Sequence, residues 1–97
     1  MYRQIRVNKW KLDASPEAIA MLLEALRVFF AETPEVRQSF IGQDVGLDDD
    51  HYDTVIINDF DDREAWARYH ADPRHRKIVT TQLLPIIDRT ALIHCEI

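Results

Sequence analysis

Residues 66–75, Trp-Ala-Arg-Tyr-His-Ala-Asp-Pro-Arg-His, decide how the second half of the chain folds. A residue that precedes proline disfavours the helical region, so a helix that enters this stretch must end before Asp72. Asp72 and Pro73 then have the residue types of an N-cap and a first helical position, which predicts that a second helix begins at once. The same stretch contains Tyr69 and His75, whose side chains are both able to transfer a proton.

Helical patterns flank this break on both sides. Asp61 and Glu64 have the spacing of a capping box, which predicts the start of the first helix. The inward positions of that helix are Ala65, Trp66 and Tyr69. The second helix keeps its apolar spacing until Pro85, and its inward positions are His75, Ile78, Val79, Gln82 and Leu83.

The first half of the chain predicts a strand and a long helix. Residues 2–10 alternate, with Ile5 and Val7 on one side of the strand and polar residues on the other. Ser15 is the predicted N-cap of a helix that the Thr33-Pro34 pair ends.

Further strands are predicted at about residues 36–43, 54–60 and 89–97, and the acidic segment 46–53 is predicted to be a solvated loop. The resulting order is β-α-β-β-α-β, with the second helix broken in two. This order predicts a ferredoxin-like α+β fold that forms one domain over residues 1–97.

Apolar residues lie on both faces of the predicted sheet. In the third strand, Val55 and Ile57 oppose Ile56 and Phe60, and in the last strand Ala91, Ile93, Cys95 and Ile97 oppose Leu92. Only one set of helices is available to cover them. We therefore predict a homodimer that covers the second face and closes a barrel. The alternative is a lone domain with an apolar sheet surface.

Composition excludes several functional classes. A net charge of −5 argues against nucleic-acid binding, because phosphates require a basic surface. No apolar run is long enough for a membrane span. The single cysteine, Cys95, favours a reducing compartment, so a cytoplasmic protein is expected.

His75 and Tyr69 are the candidate catalytic residues. His75 lies on the inward stripe in the first turn of its helix, where the helix dipole disfavours an added positive charge and keeps the imidazole neutral. With His75 as base and Tyr69 as hydrogen-bond donor to a developing oxyanion, the pair suits enolisation beside a carbonyl. The alternative is a buried histidine capped by Asp72 or by a backbone carbonyl, next to a tyrosine at the edge of the core.

Four polar residues of the strands are candidate substrate-binding groups, namely Gln4, Arg6, Asn8 and Asn58. Arg6 would require an anion in a cavity, so a small ligand with a carboxylate is one hypothesis. The alternative is an ion pair between Arg6 and an acidic residue of a neighbouring strand or of the partner chain. His70, Asp72 and His75 straddle a helix break, and no second cluster completes a coordination sphere, so neither a metal nor a cofactor is expected.

Several segments together resemble the stress-responsive A/B barrel (Dabb) proteins. They are the start of the chain at residues 1–5, the run Tyr-Asp-Thr-Val-Ile-Ile-Asn-Asp-Phe-Asp-Asp-Arg-Glu-Ala at 52–65, the run Tyr-His-Ala-Asp-Pro-Arg-His at 69–75, and the ending at Asp88-Arg89. The resemblance covers essentially the whole chain, and its most specific part is Tyr-x-x-x-Pro-x-His. It implies a homodimeric α+β barrel.

One plant branch of that family cyclises polyketides by aldol condensation with a Tyr and a His placed as Tyr69 and His75. Many family members have a histidine where this chain has Gln4, and another where it has Asp72. In the plant branch the pocket residues of the first strand are usually apolar, whereas Gln4, Arg6 and Asn8 are polar. This difference argues against a polyketide ligand. The same fold occurs in cofactor-free monooxygenases of the antibiotic-biosynthesis type.

Three functions follow as hypotheses. The first is a cofactor-independent enzyme that transfers protons on a polar carbonyl metabolite, in the manner of a cyclase. The second is a non-catalytic stress-response dimer that binds a small ligand. The third is a cofactor-free monooxygenase. Convergence of His75, Tyr69, Arg6 and Asn58 on one open cavity would favour an enzyme, and a closed core would favour the second hypothesis.

Overall fold

The computed structural model describes the whole chain, residues 1–97, as a four-stranded antiparallel sheet with helices on one face. The strand order across the sheet is β2-β3-β1-β4. The ferredoxin-like order and the broken second helix are as predicted. The elements are β1 (Tyr2–Trp10), α1 (Pro16–Glu32), β2 (Gln38–Gln43), β3 (Thr54–Phe60), α2 (Arg63–Ala71), α3 (Pro73–Ile78) and β4 (Ile87–Glu96).

Helix α1 packs its apolar stripe onto the sheet and forms most of the core. The Ser15 hydroxyl accepts a hydrogen bond of 3.0 Å from the Ala18 amide, which caps the helix as predicted. At the other end, the Thr33 hydroxyl donates to the Phe29 carbonyl at 2.6 Å. The buried residues of the helix are Leu22, Leu23, Leu26, Phe29 and Phe30.

Asp72 separates α2 from α3. Its backbone is extended, with φ −62° and ψ 127°, and its carboxylate accepts a hydrogen bond of 2.8 Å from the Arg74 amide. This cap starts α3 immediately after α2 ends, as Asp72 and Pro73 predict. The carboxylate also pairs with the Arg74 guanidinium at 3.0 Å, and it makes no hydrogen bond to His75, although its charge favours the protonated form of that ring.

The predicted capping box at Asp61 and Glu64 is wrong. The N-cap of α2 is Asp62, whose carboxylate accepts a hydrogen bond of 2.9 Å from the Ala65 amide. Asp61 instead lies 3.5 Å from the Arg37 guanidinium in an exposed ion pair. Asp61 and Asp62 both have a residue type that can cap a helix. After β3 ends at Phe60, it is Asp62 that has the extended backbone of an N-cap, with φ −159° and ψ 179°.

Two strand boundaries also differ from the prediction. β2 begins at Gln38 and not at Val36, because the Val36 amide closes a turn onto the Thr33 carbonyl at 3.0 Å. β4 begins at Ile87, two residues before the predicted Arg89, and its first residue pairs with Trp10 across a register shift.

A π-helical turn, Val79–Leu83, continues α3. Its wider winding is closed by a hydrogen bond of 2.9 Å from the Leu84 amide to the Val79 carbonyl. The Thr81 hydroxyl donates to the Lys77 carbonyl at 2.6 Å and occupies a carbonyl of the preceding turn. Single π-turns of this kind recur at functional sites, and this one carries part of the wall of the cavity described below.

The second face of the sheet carries no helix. This open sheet face presents Ile5 and Val7 from β1 together with Phe40, which is 57% exposed, and Ile93, which is 58% exposed. An apolar surface of this extent is uncommon on a monomeric protein. None of the helices has the length and hydropathy needed to cross a membrane.

The two neighbouring aspartates allow a direct test of the α2 cap. Asp62→Ala should lower the free energy of unfolding by about 1 kcal/mol, because it leaves the Ala65 amide without its acceptor. Asp61→Ala, the matched control, should change it by less than about 0.5 kcal/mol, because exposed ion pairs contribute little. Urea denaturation measures both values. Equal effects, or a larger effect at Asp61, would contradict the cap at Asp62.

Candidate functional site

A small cavity lies between β1 and the helices. Its polar wall consists of Gln4, Arg6 and Asn8 from β1, Tyr69 from α2 and His75 from α3. Its volume is about 30 Å³, which is room for about two water molecules. The apolar part of the wall consists of Leu26, Phe30, Ile56, Val79 and Leu83.

His75 is half-buried beside Tyr69, and the two ring centroids are 4.8 Å apart. Burial, followed by the charges of His70 and Arg6, lowers the pKa of His75 to about 4. The His70 carbonyl favours the charged form slightly, although the contact falls outside hydrogen-bond geometry. His75 is therefore neutral near pH 7 and can accept a proton.

Tyr69 is almost completely buried, with 4% of its surface exposed. Its ring packs on Phe60 with centroids 5.1 Å apart, and on Phe29 in a stacked arrangement at 5.7 Å. Burial raises the pKa of Tyr69 to about 12, against the smaller opposing effect of the Arg6 charge. The hydroxyl therefore keeps its proton at neutral pH and can donate a hydrogen bond into the cavity.

Arg6 is half-buried and has no carboxylate partner in this chain. The residues directly opposite it in the sheet are Ile56 on β3 and Leu92 on β4. Burial lowers the pKa of Arg6, but a guanidinium stays charged across the physiological range. A partly buried charge without a partner is costly, so this position would be stabilised by an anion.

Asn8 is occupied by hydrogen bonds within the sheet. Its amide nitrogen donates to Thr54 at 3.3 Å, and its amide oxygen accepts from Thr90 at 2.8 Å. These bonds hold Asn8 as a fixed part of the cavity wall, with little capacity to bind a ligand.

Asn58 does not line the cavity. It is 1% exposed, and neither its amide nitrogen nor its amide oxygen has a hydrogen-bond partner. It lies close enough to Tyr69 to lower the pKa of the hydroxyl, although the contact falls outside hydrogen-bond geometry. The structure therefore brings five of the six predicted site residues to one cavity, namely Gln4, Arg6, Asn8, Tyr69 and His75, and leaves Asn58 outside its wall.

His94 is a neighbour of the site that the sequence did not indicate. Its ring nitrogens lie 2.7 Å from the Tyr2 hydroxyl and 3.0 Å from the Gln4 amide nitrogen. Its ring also meets Trp66 edge-on at 4.8 Å. The strand alternation places His94 on the same face as Leu92, but its pairing with Gln4 follows only from the register between β1 and β4.

The three residues weighed as metal ligands in the sequence lie around the helix break. The His70 and His75 ring centroids are 5.4 Å apart, and the Asp72 carboxylate accepts a hydrogen bond from Arg74 at 3.0 Å. A different group, Asp48, Asp50 and His51, lies close together in the loop before β3. These three residues are exposed, which is common for an acidic loop without a metal.

The cavity and the fold can be compared with known proteins. The sequence model of the protein family described as Stress Responsive A/B Barrel Domain (Dabb) matches residues 3–97. The chain belongs to this family. A comparison with curated proteins finds no significant match.

Solved structures share the whole architecture at low identity. A dimeric ferredoxin-like protein of unknown function from Thermobifida fusca is 23% identical, with a TM-score of 0.89 over 99% of this chain and 90% of that one. The hydroxynitrile lyase of Passiflora edulis is 16% identical, with a TM-score of 0.87 over 99% and 92%. An antibiotic biosynthesis monooxygenase is 20% identical, with a TM-score of 0.75 over 100% and 98%. At these identities the likeness shows the fold alone.

The buried state of His75 predicts a pH dependence of stability. Its pKa is about 4 in the folded chain, below the ordinary value of 6.5, so the unfolded chain binds this proton first as the pH falls. Stability is therefore unaffected by His75 above pH 6.5 and is lost as the pH falls from 6.5 towards 4. His75→Gln should flatten this part of the profile in urea denaturation at several pH values.

His51→Gln serves as the matched control, because it removes an exposed imidazole from the acidic loop. It should change the slope of stability against pH far less than His75→Gln does, because the charged partner of His51 is Asp44, in a solvent-accessible ion pair that contributes little. If His75→Gln has the same slope as the unmodified protein, His75 titrates as it does in the unfolded chain.

Proposed function

We propose that this protein is a cofactor-independent enzyme that transfers a proton on a small carbonyl compound carrying a carboxylate. In this proposal His75 is the base, Tyr69 donates a hydrogen bond to the carbonyl oxygen, and Arg6 binds the carboxylate. The proposal rests on one observation. A neutral imidazole, a protonated phenol and an unpaired guanidinium line the same cavity.

The proposed step is the formation of an enolate. The neutral His75 ring takes a proton from the carbon next to the carbonyl, the electron pair of that C–H bond forms the new C=C bond, and the π pair of the C=O bond moves onto the carbonyl oxygen. The Tyr69 hydroxyl stabilises the oxyanion by a hydrogen bond, and it keeps its own proton because its pKa is about 12. Return of the proton from His75, or attack of the enolate on a second carbonyl, completes the reaction.

The size of the cavity restricts the substrate. With room for about two water molecules, the cavity excludes a long chain, and its wall must shift to enclose even a carboxylate with the adjacent carbonyl. The polar residues Gln4 and Arg6 on the wall also disfavour an apolar tail. A short 2-oxo acid fits both constraints better than a polyketide does.

A non-catalytic ligand-binding protein is the second candidate. The observation in its favour is the close packing of Tyr69, which contacts three phenylalanine rings and has little freedom to follow a reaction. In that case Arg6 would still bind a small carboxylate, but His75 would be a buried neutral histidine without a chemical role.

Hydrogen–deuterium exchange of pyruvate tests the enzymatic proposal. In D2O the protein should accelerate the loss of the pyruvate methyl signal in proton NMR, because enolate formation exposes the methyl protons to exchange. His75→Ala should lower the rate by about 100-fold, which is typical for loss of a general base. Tyr69→Phe should lower the rate, and Arg6→Met should raise the pyruvate concentration that gives half the maximal rate.

The controls are His51→Ala and Tyr52→Phe, which change the same residue types at positions in the loop before β3 that do not line the cavity. Both should keep the full rate. 2-Oxobutyrate and acetoacetate extend the screen to slightly larger substrates. If none of the three compounds exchanges faster than in buffer, but Arg6→Met abolishes their binding, the non-catalytic candidate is correct.

We also propose that the chain acts as a homodimer through the open sheet face. The Thermobifida fusca structure is described as dimeric, and the apolar residues of this face have no cover within the chain. Arg6 lies on the opposite face of the sheet, so this dimer would leave the cavity in each protomer. The single cysteine remains the basis for expecting a cytoplasmic protein.

Substitution of the open sheet face tests the dimer. Ile93→Lys should convert the protein to a monomer in size-exclusion chromatography with light scattering, because it places a charge in the centre of an apolar interface. Met21→Lys places the same charge on the exposed outer side of α1 and should leave the dimer intact. A monomeric unmodified protein, or a dimeric Ile93→Lys variant, would contradict this interface.

A further inference from the structure

The side chains of Gln4, His94 and Tyr2 form a chain of hydrogen bonds that begins at the cavity and links β1 to β4. Gln4 lines the cavity, and its amide nitrogen lies 3.0 Å from His94 Nε2. On the other side of the ring, His94 Nδ1 lies 2.7 Å from the Tyr2 hydroxyl oxygen. Both ring nitrogens are therefore engaged, and the direction of each hydrogen bond depends on the state of the ring.

The orientation of the Gln4 amide in this structure fits a neutral His94 ring. The Gln4 amide nitrogen can only donate, so His94 Nε2 accepts this hydrogen bond and carries no proton. The single ring proton is then on Nδ1, which donates to the Tyr2 hydroxyl oxygen. With its nitrogen turned towards His94, the Gln4 side chain presents its amide oxygen, an acceptor, to the cavity.

A protonated His94 requires the opposite orientation of Gln4. Both ring nitrogens then donate, and an amide nitrogen facing Nε2 would place two donors against each other. Rotation of the amide by half a turn removes this conflict, because the Gln4 oxygen then accepts from Nε2. The amide nitrogen with its two hydrogens turns to the cavity, where it can donate to an anion beside Arg6.

We propose that His94 is a positioning residue which sets the orientation of the Gln4 amide, so that binding of a carboxylate beside Arg6 recruits a proton to His94. The inference rests on the proposed function, because that function provides the carboxylate. It assigns to Gln4 the role of a second donor to the substrate, alongside Arg6.

The groups that face His94 favour its neutral state as long as the cavity holds no anion. Burial, followed by the positive charges of Arg6, His70 and Arg63, lowers the pKa of His94. The other side chains against the ring are the neutral groups Tyr2, Gln4 and Trp66. Glu96 shares this face of β4 but is exposed, and it does not contribute to the shift.

A carboxylate bound to Arg6 makes protonation of His94 less costly, because it neutralises the charge of Arg6. The carboxylate also gains a hydrogen bond when His94 is protonated and the Gln4 nitrogen faces the cavity. Binding and protonation are linked reciprocally, so an anion that raises the pKa of His94 also binds more tightly as the pH falls. If the anion raises the pKa of His94 by about one unit, it binds about tenfold more tightly to the protein with a protonated His94 than to the protein with a neutral His94.

NMR of 15N-labelled protein tests this chain of hydrogen bonds without any ligand. The side-chain amide signals of Gln4, identified by their loss in Gln4→Met, should shift with pH in parallel with the ring signals of His94. In His94→Gln this titration should disappear, while His51→Gln should leave it unchanged. Gln4 signals that do not follow the titration of His94 would overturn the inference, whatever the catalytic activity.

A second titration adds formate, acetate and pyruvate in turn. Each anion that binds should raise the pKa of His94, and the rise should be larger in the unmodified protein than in Gln4→Met, where only the charge effect on Arg6 remains. Equal rises in the two proteins, or no rise with any of the three anions, would overturn the coupling. If the unmodified protein does not catalyse pyruvate exchange but anions still raise the pKa of His94 through Gln4, the proposed function is rejected and the inference stands.

Discussion

The geometry of the site depends on the proline at residue 73. If α2 and α3 were one continuous helix, Tyr69 and His75 would be separated by six residues and would point about 120° apart around the axis. Pro73 prevents that helix, and Asp72 adopts an extended backbone while capping the next turn. The two rings then meet with centroids 4.8 Å apart on the wall of one cavity. The break in the helix is therefore a requirement of the site as well as a feature of the fold.

The helix-facing side of β1 carries a second constraint, because it is polar where a ferredoxin-like core would ordinarily be apolar. Asn8 has a hydrogen-bond partner at both its amide nitrogen and its amide oxygen, but Arg6 has no counter-charge and the Asn58 amide has no partner. Groups in this state reduce stability, and proteins keep them mainly where they serve binding or catalysis. The apolar layer of α1 and the π-helical turn around them offsets this cost and limits the room for a ligand.

Much of this arrangement could be predicted from local patterns. Alternation placed Gln4, Arg6 and Asn8 on one face, and helical spacing with Pro73 placed His75 inward. The missed features depend on information that is not local. The choice of Asp62 over Asp61 as a cap is decided by where β3 ends, and the partner of His94 is decided by the register of the first and last strands. Asn58 has the predicted face and lies beside Tyr69, but it is not part of the cavity wall, which depends on how the helices pack on the sheet.

Arg6 connects the two histidines of the site electrostatically. Burial is the main cause of the lowered pKa of both His75 and His94, and the charge of Arg6 adds to it. On the proposed function, a substrate carboxylate neutralises that charge at the moment of binding. Loss of the Arg6 contribution raises the pKa of His75 above its value of about 4 and makes the ring a stronger base. The substrate would thereby activate the base that acts on it, and a bound water, which carries no charge, would not. This distinction gives a small cavity with few contacts a means of restricting proton transfer to anionic substrates.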